Sequence, residues 1–123
     1  MLRTRIKYFG MITYNDGSGN KANIQGKLEN HFGKILGDYQ VREKGKHCFG
    51  PKGVILGSID DSKLLKLCTY RNGSCLSTLE GSISTNTSSL KVHGTNGDGI
   101  AVTWLLKVTD PACSADIDGN LSS

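Results

Sequence analysis

The sequence predicts a mainly β domain: an antiparallel up-and-down meander of about seven strands rolled into a closed or partly open small barrel. Three observations predict it. Short period-two runs of apolar and polar residues recur along the chain, separated by turn residues. From Val54 onward each run is joined to the next by a short polar connection, so sequence neighbours pair as hairpins. Glycines fall inside the runs, at Gly10, Gly26, Gly57, Gly81 and Gly94, where a strongly coiled sheet bends.

The first run, Arg5 to Tyr14, places Ile6, Tyr8, Ile12 and Tyr14 on one parity, and the turn "NDGSGN" follows with Gly17 and Gly19 free to take positive φ. In the second, "KANIQGKLE", Ala22, Ile24, Gly26 and Leu28 alternate with polar residues, the pattern of a half-buried strand. The period then changes. Leu28, Phe32, Ile35, Leu36 and Tyr39 fall at i, i+4, i+7, i+8 and i+11, which predicts one short helix near residues 30–36, stopped by Gly37. "GKHCFGPKG" reads as a loop. From Val54 the strands "GVILGSI", "LLKLCTY", "CLSTLEGSIS", "SLKVHGT" and "IAVTWLLKV" alternate with the turns "DDSK", "RNGS", "TNTS" and "NGDG". Two of these turns hold Asn-Gly, the strongest short hairpin signal. Left flat, such a sheet would keep a bare apolar face and two open edges, so the strands must curl.

The chain of 123 residues is 37% hydrophobic and 21% charged, with a formal net charge of +4. That balance fits one globular domain, expected at 1–109, followed by an extended C-terminal tail at 110–123 without periodicity. No apolar stretch approaches the length of a membrane-spanning helix. The basic start "MLRTRIKYFG" is broken by Lys7 and Gly10 and reads as mature structure, so a cytoplasmic protein with reduced Cys48, Cys68, Cys75 and Cys113 is expected and no membrane partner.

The catalytic inventory is thin. His31, His47 and His93 have no sequence-visible base or nucleophile partner, so an enzyme is the least supported class and no catalytic residue is assigned. The cysteines lack the close pairs of a structural zinc site, and "DGSGNK" puts Lys21 where a calcium loop needs glycine. No metal and no cofactor is expected. "GTNGDG" precedes a strand and reads as a turn, because a phosphate-cradling loop needs a helix behind it.

Trp104, the single tryptophan, shares its parity with Val102 and Leu106 and therefore points inward. In a closed barrel the first and last strands are neighbours, so Tyr8 and Tyr14 are placed beside it, and these three residues are expected to line any pocket. Such a barrel resembles the small lipocalin-like barrels in architecture, which implies binding of an apolar or amphipathic small molecule at the barrel mouth. The first strand carries Gly10-Met11-Ile12 where lipocalins carry Gly-x-Trp, and avidin-type barrels use several tryptophans, so no family residue is carried over.

The leading expectation is therefore a non-catalytic barrel that binds a small, partly apolar ligand in its interior or open end. One alternative is a single-strand nucleic-acid-binding barrel using Phe32, Lys34, Tyr39, Arg42, Lys44, Lys46 and Phe49, since that segment interleaves aromatic and basic residues. Another is a protein-interaction module, with edges of a partly open barrel pairing between two copies as a homodimer.

Overall fold

The structure, a computed structural model, describes residues 4–84 and 89–108. Eight strands follow one another: β1 Thr4–Tyr14, β2 Lys21–His31, β3 Lys34–Glu43, β4 Gly53–Ile59, β5 Leu64–Arg71, β6 Ser74–Ser84, β7 Ser89–Thr95 and β8 Ala101–Val108. Each pairs antiparallel with its neighbour in sequence, and β8 pairs with β1, so the sheet is a closed up-and-down barrel. At the seam Gly10 stands opposite Leu106 and Ile12 opposite Trp104. Closure pairs both terminal strands, so the edge-to-edge route to a dimer loses its template among the described residues. The turn at 85–88, the tail at 110–123 and Cys113 lie outside the described residues.

The expected helix near 30–36 does not form, and its place is taken by an eighth strand, β3. Phe32 and Gly33 form a two-residue connection with φ of 57° and 96°, the left-handed pair whose twist matches flanking strands. The Gly33 N–H donates to Asn30 Oδ1 at 2.8 Å and fixes that turn. The helical spacing arises because Leu28 on β2 and Ile35 and Tyr39 on β3 all face inward on separate strands. A helical stripe would also have buried Phe32 and Leu36, which are 74% and 47% exposed. Gly37, expected as the helix stop, is an inward position of β3 opposite Leu28.

The two Asn-Gly pairs behave differently. Asn72 and Gly73 both take positive φ and close the β5–β6 hairpin. At the β7–β8 turn the left-handed residue is Gly99, while the Asn96 side chain accepts the N–H groups of Asp98 and Ile100.

The interior is one apolar core, with Ile24, Ile55, Leu65, Leu67, Leu79, Leu90, Val92 and Leu106 at its centre. It is built on pairing large residues with glycine. Gly10 faces Leu106, Gly37 faces Leu28, Gly57 faces Leu67, Gly81 faces Val92 and Gly94 faces Leu79. At each of these glycines a Cβ would overlap a backbone carbonyl of the adjoining strand, so the strands cross more closely than a side chain permits. Alternation of small and large residues is how a narrow barrel fills its lumen.

Substituting Gly57→Ala therefore forces Lys66 and Leu67 of β5 away from β4 and should lower stability by roughly 2–3 kcal/mol. The outward Ser58→Ala should change it by less than about 0.5 kcal/mol. Denaturant unfolding of both variants checks this, and an unchanged Gly57→Ala midpoint would contradict the close crossing.

Candidate functional site

Up-and-down order gathers the β1–β2, β3–β4, β5–β6 and β7–β8 connections at one end of the barrel. There the solid core gives way to a solvent-open cup of about 830 Å³, within the range of small-molecule sites. Trp104 and Tyr39 contribute its aromatic surface, their ring centroids 6.3 Å apart and the planes tilted by 47°. The Tyr39 ring fits because residue 53 is glycine: a Cβ there would overlap the ring. Ile12, Ile100 and Val102 line the cup from the β1–β8 side. Thr69 and Arg71 line it from β5, which stands across the ring of strands from β1. The cup thus has an apolar wall and a polar wall.

Three polar groups of the lining are almost wholly buried: Thr69 is 2%, Trp104 3% and Tyr39 5% exposed. Among the described residues, the Thr69 hydroxyl, the Trp104 indole N–H and the Tyr39 hydroxyl have no hydrogen-bond partner. Buried polar groups are ordinarily paired, and each left unpaired costs about 1–3 kcal/mol. Arg71 sits above them. Its guanidinium lies 5.4 Å from the Tyr39 ring centroid and donates to the Pro51 carbonyl at 3.3 Å. No carboxylate of the described residues forms an ion pair with it.

The rim is polar and of mixed sign, with Lys21 and Lys44 interspersed with Asp16, Glu43 and Asp98. Tyr14 donates to Glu43 Oε2 at 3.5 Å. Partial burial, with the Glu43 charge and hydrogen bond adding to it, pushes the Tyr14 phenol above its ordinary pKa. The Ser18 hydroxyl and N–H both donate to Asp16 and hold its carboxyl below the usual range. Asn15 anchors the β1–β2 turn to β8, its N–H donating to Ala101 O at 2.8 Å and its side chain to Thr103 Oγ1 at 2.9 Å.

Of the three expected pocket residues, Trp104 and Tyr14 line the cup. Tyr8 lies in the core outside the lining, where its hydroxyl donates to the Asp38 carbonyl at 2.7 Å. Gly26 makes room for it, since a Cβ there would stand 2.6 Å from the hydroxyl. Burial above all, then the charge of Asp38 and the neighbouring Tyr39, drives the Tyr8 pKa far upward, so this phenol stays neutral.

The seven residues of the nucleic-acid alternative are spread over the barrel. Phe32 sits in the β2–β3 turn and Lys34 directly after it, at the end away from the cup. Tyr39 is buried inside, and Lys44 and Lys46 sit at the opposite end in the β3–β4 connection. Arg42 lies 5.2 Å over the Phe49 ring and donates to Asn23, so that basic–aromatic pair engages itself.

Thr69 and Arg71 were not legible as cup residues, nor was Tyr39 in that role. The signal for the first two is parity: Leu65, Leu67, Thr69 and Arg71 share the inward face of β5, and the last two are polar where apolar residues are due.

Comparison with protein-family models, with curated proteins and with solved structures gave no match.

An inward hydroxyl without a partner weakens the fold. Thr69→Val keeps the shape and removes the hydroxyl, and should raise stability by about 1 kcal/mol. Equilibrium unfolding measures it; a loss of stability of similar size would show that the hydroxyl is already satisfied in the free protein.

Proposed function

We propose that the protein is a non-catalytic binder of a small, partly apolar ligand, taken up at the open end of the barrel. The observation that carries this reading is the cup itself: an open recess of about 830 Å³ at one end of a closed barrel, lined by apolar residues and by the Arg71 guanidinium. Sites for small molecules combine apolar surface with placed polar groups, and in the cup Val41, Leu76 and Ile100 stand among polar residues. Trp104 and Tyr39 form the floor of the cup, with little of either ring left uncovered. Tyr14 stands at the rim, where its hydroxyl is held by Glu43 and its ring closes one side. Tyr8 supports the site from within the core by tying β1 to β3.

The outer wall supports a protein that works in water. Lys7, Lys27, Lys66, Glu80 and Lys91 project outward from within strands, whereas a wall facing hydrocarbon is an apolar band. No helix among the described residues is long and apolar enough to cross a membrane.

Titration with the neutral dye 1-aminoanthracene should quench the emission of Trp104 saturably at one site per chain. Val41→Trp, which fills the cup from its β3 wall, should weaken the binding about tenfold or more while the barrel remains folded. Absence of saturable binding, or equal affinity in the filled variant, would remove this reading.

A further inference from the structure

We propose that the ligand is an amphipathic monocarboxylate, its carboxylate held by Arg71 and its apolar body laid against Val41 and Ile100, lining residues that keep exposed surface. The inference rests on reading the cup as a binding site and names the chemistry that site selects. Three features of the polar wall lead to it. Arg71 follows Leu65, Leu67 and Thr69 on the inward face of β5, so a guanidinium stands in the wall of the cup above the core. The guanidinium keeps most of its N–H groups uncommitted, with the Pro51 carbonyl as its hydrogen-bond acceptor and the Tyr39 face beneath it. Its planar fork matches the two oxygens of a carboxylate, and stacking on Tyr39 holds that plane in place.

The opposite wall decides the remainder of the molecule. There Ile100 keeps exposed surface, as does Val41 on β3, and neither offers a polar side-chain atom, so the far side of the ligand is hydrocarbon. Charge balance limits the head group to a single negative charge. At the rim two lysines face three carboxylates, so a doubly charged head would meet net repulsion around the one cation set deeper on β5.

Decanoate and decanol share the hydrocarbon and differ in the head group, and both are optically silent, so the emission of Trp104 in the full chain reads their binding directly. Decanoate should bind about tenfold or more tightly than decanol at low salt, because hydrogen bonds to a charged group are the stronger ones. Arg71→Gln should bring decanoate down to the affinity of decanol and leave decanol itself unchanged, the second result serving as the check on folding. Should that variant not fold, the loss of the decanoate preference in high salt supports the ion pair in the wild-type chain and its persistence overturns it. Equal affinities for the two ligands overturn the carboxylate assignment and leave the cup as a site for neutral molecules. A preference that survives Arg71→Gln overturns the role of that residue, and binding of neither ligand brings down the assignment together with the cup reading.

Discussion

The close crossing of adjacent strands at inward glycines is the constraint on which the remainder of this barrel depends. A closed sheet of eight strands has a lumen only wide enough for side chains, and each strand must coil tightly to complete the ring. At Gly10, Gly37, Gly57, Gly81 and Gly94 a neighbouring carbonyl occupies the space a Cβ would need. The volume yielded there is taken up by the large residue opposite, Leu106, Leu28, Leu67, Val92 or Leu79. The same pairing therefore sets the radius of the barrel and packs its core. Gly26 and Gly53 extend it to the tyrosines, one leaving space for the Tyr8 hydroxyl and the other for the Tyr39 ring.

That packing runs along the barrel until it reaches the level of Trp104 and Tyr39. Beyond them the inward positions change character: Thr69 and Arg71 on β5 replace the leucines that precede them, and the rim carries charges of both signs. A cup so formed is the core left unfinished at one end. The buried polar atoms at its floor work against stability where they find no partner, since buried donors without acceptors are a net cost. Under the proposed function that cost links the energetics of the fold to the chemistry of the cup.

Much of the architecture was legible in the chain because period-two patterning and turn chemistry are local signals. Ile100 to Val108 shows its inward face directly, and Asn72-Gly73 announces its hairpin. The helix expected near residues 30–36 gives way to strands because inward residues of two antiparallel strands fall at helical intervals around Phe32. The turn there depends on Phe32 in a left-handed conformation, which a bulky residue seldom adopts, so no composition rule points to it. Tyr39 was legible as an aromatic among basic residues and on one apolar stripe with Ile35, and its parity with Ile35 and Val41 along β3 turns it inward. Arg71 and Thr69 were hidden for a different reason: a cup is made by residues from β1, β3, β5 and β8 converging, and convergence is a property of closure.

The seam between β1 and β8 is where closure and cup meet, because it brings Ile12 beside Trp104. An NOE spectrum of the labelled protein reads it most directly. Closure predicts inter-strand contacts between Gly10 and Leu106 and between Ile12 and Trp104, together with contacts from the indole ring to Tyr39. A spectrum lacking them, with β1 and β8 amides exchanging as free edges, would contradict the closed barrel and the cup built on it.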